Sequence, residues 1–431
     1  MRSLITFAFL FAITVLCAQE VLTAEEAVHI ALEQNYGIRV ARLDARGAEL
    51  LNTAGNAGML PNVDAVGQYT LDNSSTKQTF FSGEVRERDN ADQRVLDAAV
   101  QLNWTVFDGL TMFATKDRLE ALELIGQTLL RQQIEATVYE VLATYYQLVQ
   151  LNKAIAVQRE STRISRERLT IAEAAKNIGT ASGLQVVQAQ LDLSTDSASA
   201  LDLRAQQAAT TTRLNALLGR DPATPTVVDA DMPVAGALDL ARIRGAARQA
   251  NSAVQRARQQ QIAADLGVKE LRGALFPQVD VFANYGYTKS TSAVGILQSN
   301  QALGPDYGAR VSIPLFRGFQ ARSAMEVAKL QREQAALTTE QVELDLEEGV
   351  LNAWTTYTLS AQRVALEEAN LTGSRTQVDI ALESFRLGAI TSVELRDVQQ
   401  GMVAAEGRLL VARYEAKLAE LQLKWFAGRL L

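Results

Sequence analysis

The stretch Val95-Leu96-Asp97-Ala98-Ala99-Val100-Gln101-Leu102-Asn103-Trp104-Thr105-Val106-Phe107-Asp108-Gly109 decides how the rest of the chain is read. Leu96, Ala98, Val100, Leu102, Trp104 and Val106 alternate with Asp97, Ala99, Gln101, Asn103 and Thr105. A period of two places the first set on one face of a β-strand and the second set on the other. Val279, Val281, Ala283, Tyr285 and Tyr287 alternate in the same way, as do Tyr307, Ala309, Val311, Ile313 and Leu315, and Val63 to Leu71 more weakly. A half-buried sheet in a soluble protein accounts for such alternation. Two features favour a membrane barrel. The runs are about 9–12 residues long, the length at which tilted strands span a bilayer, and their ends carry Tyr69, Trp104, Tyr285, Tyr287 and Tyr307, the aromatic content of a membrane–water interface. Asp72–Arg94 and Lys289–Asp306 read as polar outer loops, too long and irregular for tight hairpins.

The chain repeats itself faintly. Asn35 aligns with Asn251, and the same shift carries Pro61 onto Pro277, Val63-Asp64 onto Val279-Asp280, and Tyr69 onto Tyr285. A slightly smaller shift carries Phe107-x-Gly109 onto Phe316-x-Gly318, Gly179 onto Gly388, and Gly219-Arg220 onto Gly428-Arg429. Two copies of one large unit predict a single elongated body of two pseudo-symmetric halves. The expected divisions are a first repeat over 19–221, a Pro-rich linker over 222–237, and a second repeat over 238–431. The expected strands run over about 63–71 and 95–107 in the first repeat, and about 279–288 and 307–315 in the second.

Between the strand regions the composition turns helical. No proline occurs between Pro61 and Pro222, or after Pro314, and those tracts are rich in Ala, Leu, Gln, Glu and Arg. Ile134, Val141, Leu148 and Ile155 recur every seventh residue, while Val411, Tyr414, Leu418, Leu421 and Trp425 step by three and four. That is the period of helices packed side by side as in coiled coils. A helix from about Leu110 to Ile178 would be about 100 Å long at ~1.5 Å per residue. It breaks at Gly179-Thr180-Ala181-Ser182-Gly183, with tip near 179–183, and a returning helix about half as long reaches Leu218. The second copy runs from Phe319 to Leu387, breaks at Gly388-Ala389-Ile390-Thr391-Ser392, with tip near 388–392, and returns to Phe426. An initial helix near Leu22 to Gly58 supplies the missing half-length if it stacks end-on above the returning arm.

Composition excludes several functions. Arg2, an apolar run from Leu4 to Leu16, and Cys17-Ala18-Gln19 read as a secretory signal peptide over 1–18. A transmembrane anchor is the competing reading, but the run is too short to cross a bilayer as a helix. A lipid-modified Cys17 is the other, and Leu16 before it is a poor fit to that processing. With Cys17 removed the chain has no cysteine, so an exported protein would carry no disulfide. The one histidine, His29, leaves no soft-metal site and no Cys-His or Ser-His pair, so no metal, cofactor or catalytic residue is expected. A net charge of −7 offers no basic footprint for nucleic acid.

Four strands cannot close a barrel, and an open edge in lipid leaves backbone groups unpaired. The chain must therefore assemble. Two copies would close eight strands around side chains; three would close twelve around a lumen lined by Gln101, Asn103 and their counterparts.

In this order of elements the chain resembles the TolC family of outer-membrane efflux proteins over essentially its whole length. The resemblance rests on the duplicated order helix–strand–strand–helix–turn–helix, and on the Leu60-Pro61 and Phe276-Pro277 starts of strands. It rests also on the Phe107-Asp108-Gly109 and Phe316-Arg317-Gly318 exits, and on the turns Gly179-Thr180-Ala181-Ser182 and Gly388-Ala389-Ile390-Thr391. It implies a mainly α fold with a small β part: long coiled-coil helical hairpins forming a trimeric α-barrel, plus four transmembrane β-strands per chain in a shared 12-stranded barrel. It also implies an exit duct in the outer membrane of a Gram-negative bacterium, with a long periplasmic part. The hairpin tips (Gly179, Thr180, Ser182, Gly388, Thr391 and Ser392) would dock a periplasmic adaptor protein and an inner-membrane pump.

Glu394 and Asp397 lie six and nine positions after Gly388, on one face of a helix. In a threefold assembly they make two rings of three carboxylates, which select cations. The family carries acidic residues at both positions as its periplasmic constriction. A solvated helical face is the plainer reading of the pair. The family's pattern adds an arginine two residues after the second-turn glycine and an aspartate six after the first; here those positions hold Ile390 and Gln185. Arg386 lies close enough in sequence to stand in for that arginine.

Three other classes compete with a passive duct. A structural or adhesive coiled-coil envelope protein explains the helices but not the strands. A periplasmic adaptor would need one hairpin within a β-rich module. An enzyme would need a titratable constellation that does not occur here. The cargo is open, whether drug, metal ion, siderophore or protein.

Overall fold

The computed structural model describes residues 21–234, 236, 238–293 and 297–430. The expected signal peptide with Cys17, and residues 235 and 237 of the expected linker, lie outside the described residues. In chain order the elements are α1 (Ala24–Gln34), α2 (Tyr36–Leu51), β1 (Asn62–Thr79), β2 (Val85–Phe107), α3 (Thr111–Asn177) and α4 (Gly183–Leu217). They continue with α5 (Leu240–Ala250), α6 (Ser252–Gly273), β3 (Gln278–Ser292), β4 (Ser299–Ser312), α7 (Gln320–Arg386) and α8 (Ser392–Phe426). The fold is mainly helical with one small antiparallel sheet.

The contacts divide the chain into two compact units, each drawing segments from both halves of the sequence. The first holds residues up to Ala41, Arg131–Asn251, and Leu344 onward. Its apolar core gathers Ala27 and Ala31 of α1, Val141, Tyr145, Leu148 and Val149 of α3, Leu214 and Leu218 at the end of α4, and Leu421 of α8. The Tyr145 hydroxyl donates to the Leu22 carbonyl at 2.9 Å and accepts from the Asp229 N–H at 3.2 Å, fixing the short parallel bridge between Leu22 and Val228. Within α3 three of the four expected seam residues, Val141, Leu148 and Ile155, are buried, and Ile134 is half-buried. In α8 the expected line holds only in part: Leu421 is buried and Tyr414 packs against the core. Val411 is exposed, and the buried line is Leu409, Ala412, Ala416, Ala419 and Leu423. Alanines let neighbouring helices approach closely, so the small face turns inward. The larger residues flank it, with Trp425 stacked on Tyr139 at 5.1 Å between centroids.

The initial helix is not continuous. It breaks at Asn35, whose N–H closes α1 on the Ala31 carbonyl and whose Oδ1 accepts the Ile38 N–H at 3.1 Å. One residue thus ends one helix and caps the next. Asn251 breaks α5 from α6 with nearly the same backbone angles.

The second unit holds Arg42–Leu130 and Ser252–Glu343, including the whole sheet, in order β1-β2-β3-β4 with every neighbour antiparallel. β1 and β2 do not stop at the expected polar loop. They pair through to Thr79 opposite Val85 and turn over Phe80–Glu84, where Gly83 has φ 83°. Residues polar on both faces carry no period of two, yet the ladder continues, because its bonds are made by backbone whatever the side chains are. Cross-strand polar pairs support this outer part, with Asn73 donating to Asp92 at 2.7 Å and Lys77 to Glu87 at 3.1 Å. β3 and β4 likewise extend to the pair Thr291–Ser299, of whose connection residues 294–296 lie outside the described set.

The register assigns the faces. Val63, Tyr69, Leu71, Leu96, Val100, Trp104, Tyr285, Leu303, Tyr307 and Val311 share one face and are all exposed. Asp64, Asp97, Gln101, Asn103, Asp280, Asn284 and Asp306 share the other. A contiguous bare apolar face of this size is what water-soluble monomers avoid. At both strand-to-helix exits two successive residues have positive φ: Gly109 (70°) with Leu110 (71°), and Gly318 (58°) with Phe319 (63°).

Candidate functional site at the two helical turns

The turns close α3 to α4 and α7 to α8 in the same way, and all their residues belong to the first unit. Gly179 (φ 81°) lets the Thr180 N–H reach the Ala175 carbonyl, while its own N–H reaches that of Lys176. Gly388 (φ 77°) does the same for Ala389 on Ser384, and for itself on Phe385. This pairing satisfies carbonyls that a helix end leaves free, and the left-handed backbone requires glycine. Thr180 adds a side-chain bond to Ala175 at 3.0 Å.

Each returning helix opens with a capping box. Ser182 and Gln185 exchange backbone and side-chain bonds at the start of α4, and Thr391 and Glu394 do so at the start of α8. The Glu394 carboxylate accepts from the Thr391 N–H at 2.7 Å and from its hydroxyl at 2.8 Å. Those bonds hold its pKa below the usual glutamate value, the backbone donor first and the hydroxyl second. Glu394 and Asp397 are both exposed on the first two turns of α8, and among the described residues no cation lies within ion-pair distance of either. Gln185 and Arg386 are each engaged elsewhere. Gln185 caps α4, while Arg386 pairs with Glu167 of α3 at 2.6 Å and with Glu383 at 3.6 Å.

A buried polar cluster beside the turn was not anticipated. Arg396 of α8 clasps Asp196 of α4 through two bonds, at 2.7 and 2.9 Å, and Asp196 also accepts from Ser161 and Ser165 of α3. Arg168 of α3, only 1% exposed, donates one nitrogen to Asp192 at 3.1 Å and to the Ser392 carbonyl and hydroxyl at 2.9 and 2.8 Å. Gln399 donates to the Ser161 carbonyl and hydroxyl, and to the Ser165 hydroxyl. Burial raises the Asp196 pKa, but its bonds from Arg396 and Ser165 outweigh that and leave it below the usual value. Burial pushes the Arg168 guanidinium down, against the pull of Asp192. The Nε and Nη1 atoms of Arg168 are buried without a hydrogen-bond partner. One sequence signal was available: Ser161, Ser165 and Arg168 step by four and three, as do Ser392, Arg396 and Gln399, polar stripes where a coiled coil puts apolar ones.

Among the described residues no helix is long and apolar enough to cross a membrane. Paired helical hairpins joined to an open sheet with one bare apolar face define an outer-membrane channel protein. The chain belongs to the outer membrane efflux protein family, which it matches over residues 27–220 and 243–429. The outer membrane efflux protein BepC of Brucella suis biovar 1 is 22% identical over 438 residues, covering 100% of this chain and 91% of that one. The alkaline protease secretion protein AprF of Pseudomonas aeruginosa is 22% identical over 421 residues, covering 94% of this chain and 84% of AprF. The solved Campylobacter jejuni CmeC outer membrane channel shares the fold, with a TM-score of 0.81 at 12% identity over 95% of this chain and 86% of CmeC. The protein is an outer-membrane exit duct with a periplasmic part.

Proposed function

We propose that three copies of the chain close their sheets into one twelve-stranded barrel, and that the duct so formed is gated at the helical turns by Glu394 and Asp397. The observation that carries this reading is the sheet itself. Among the described residues β1 and β4 each pair with one neighbour only, and the apolar face is bare. In lipid each open edge would leave a row of backbone groups unpaired, so the edges must meet those of other copies. Each half of the sequence, 19–221 and 238–431, then supplies two strands and one hairpin to the wall, joined through 222–237. The turns at Gly179, Thr180 and Ser182, and at Gly388, Thr391 and Ser392, meet a periplasmic adaptor and an inner-membrane pump that supplies the energy. The duct itself performs no bond chemistry. Its exposed carboxylates, two per chain, set a cation preference at the mouth.

Light scattering of detergent-solubilised protein tests the assembly, with a trimer expected and a stable monomer defeating it. Planar-bilayer conductance tests the mouth. Cation preference is expected, and anion preference in the unaltered protein would remove Glu394 and Asp397 from the role.

A further inference from the structure

The two hairpins of the sheet pair in the same register, and they differ at one level. In the first, Val66 faces Ala99 and Asp64 faces Gln101. In the second, the matching residues are Phe282 facing Gly308 and Asp280 facing Arg310. Asp64, Asp72, Asp97, Asp280 and Asp306 share the polar face of the sheet. Between Asn62 and Asp72, Val95 and Thr105, Gln278 and Ser290, and Asn300 and Ser312, Phe282 is the one aromatic residue on that face and Arg310 the one cation. The changes fit one another. A Cβ at position 308 would lie 2.8 Å from the tip of the Phe282 ring, so the ring needs a glycine opposite it. The Arg310 guanidinium stands over that ring, 5.8 Å from its centroid. Asp280, directly across from Arg310, is engaged elsewhere: its Oδ1 accepts from Thr105 at 2.7 Å and from Gln278 at 2.9 Å. Among the described residues Arg310 has no hydrogen bond and no ion pair. Beside it lies a hollow of about 350 Å³ whose lining includes Asn62, Asn103, Thr105, Asp280, Phe282 and Arg310.

A guanidinium takes a carboxylate through two parallel bonds, and a flat apolar body packs well against an aromatic ring. We propose that Phe282 and Arg310 bind small planar carboxylates, and so let such anions pass a lumen that is otherwise acidic. This rests on the reading that the polar face lines the duct, and it names a class of cargo. Arg310 takes the carboxylate, the Phe282 ring takes the flat body, and the Asn62 and Asn103 amides border the same hollow. Its volume is at the low end for small-molecule sites, which suits one or two fused rings. Assembly supplies no counter-ion. The register of β2 on β3, carried to β4 and the first strand of the next copy, sets Arg310 opposite Gln68 of the partner subunit. Three copies then make a ring of three guanidiniums beside the carboxylates of Asp64 and Asp306, and a ring of fixed charge selects which ions enter. The first hairpin, with Val66 and Gln101 at the matching positions, has neither group.

The test uses the full-length protein in planar bilayers. Naphthoate is added on the side of the strand turns, and naphthylmethylammonium serves as the same body with the opposite charge. Naphthoate is expected to reduce the current reversibly, and Arg310→Gln to raise its half-blocking concentration at least about fivefold. Phe282→Val should raise it at least about threefold. Both variants copy what the first hairpin holds at the same register, Gln101 and Val66, so thermal midpoints and assembly should match the unaltered protein. Three results would overturn the site: no block by naphthoate, equal block in the unaltered protein and Arg310→Gln, or a block by the ammonium that also depends on Arg310. The duct reading fails separately. If the protein does not conduct, the duct falls, and naphthoate fluorescence titrated into detergent-solubilised protein still reads the site. Binding that weakens in Arg310→Gln then supports it, and absent or equal binding refutes it.

Discussion

The Asn35 side-chain amide donates to the Leu217 carbonyl at 2.7 Å, tying the break between α1 and α2 to the last turn of α4. Asn251 repeats the bond with Phe426 of α8 at 3.3 Å. Each asparagine thus ends one helix, begins the next, and satisfies a carbonyl that the returning helix leaves free. Asn35→Ala removes a cap and strands a carbonyl together, so it should cost about 1–3 kcal/mol. Asn251→Ala should cost less, because its bond to Phe426 is longer. Thermal midpoints of the two variants check the order.

Two glycines with similar backbone angles should behave differently. Gly109 has φ 70°, and a Cβ there would collide with the Gly273 carbonyl oxygen and the Phe276 Cβ. Gly179 has φ 81° and open space around it. Gly179→Ala should cost about 1 kcal/mol, the left-handed strain alone. Gly109→Ala adds backbone overlap that cannot relax, and should cost at least about 3 kcal/mol or abolish assembly. Comparing thermal midpoints and trimer yield distinguishes the two.

Glu394→Gln is a clean probe of charge, because glutamine already fills the same box at Gln185. The variant should keep the helix start and reduce cation preference in planar bilayers, further when combined with Asp397→Asn. A loss of folding instead would assign Glu394 to the cap alone.

The pH response follows from Glu394. Its pKa is depressed, so its charge is present above the usual glutamate value of 4.5 and is lost only as pH falls through a lower one. Its share of the cation preference should persist below pH 4.5 and then decline. Reversal-potential measurements down a pH series check this, with Glu394→Gln as the control that lacks the low-pH step.

Asp196 gives a stability counterpart. Its folded pKa is below the usual aspartate value of 3.8, so its contribution is present above that value and lost as pH falls below it. Thermal midpoints should fall more steeply with acid in the unaltered protein than in Asp196→Asn, which lacks the titrating group.

Much of this was legible residue by residue. Alternation located three strands and the internal repeat the fourth, Val63 to Leu71, while the absence of proline located the long helices within a residue or two. Gly179 and Gly388 marked the turns because a left-handed residue at a helix end is almost a signature of glycine. The extension of β1 and β2 past Leu71 was not legible, since residues polar on both faces carry no period even when their backbones pair. Nor was the break at Asn35, where an asparagine in a helical run reads as surface until its side chain is seen bonding to Leu217. The seam of α8 is legible only in part: Leu421 is buried as its spacing predicts, but Val411 is exposed, because close helix approach favours Ala412, Ala416 and Ala419.

By itself the order of residues determined the helical and strand content and the two turns, because each follows from local periodicity or from the glycine that a left-handed turn requires. Only the tertiary structure decided that Glu394 caps a helix as well as carrying charge, and that Arg386 is spent on Glu167. Only it brought Arg168, Asp192, Asp196 and Arg396 together. Those residues come from the two arms of one hairpin and from α8, 200 residues beyond Asp196, and a hydrogen bond of about 3 Å is a property of how helices pack rather than of the sequence along any one of them.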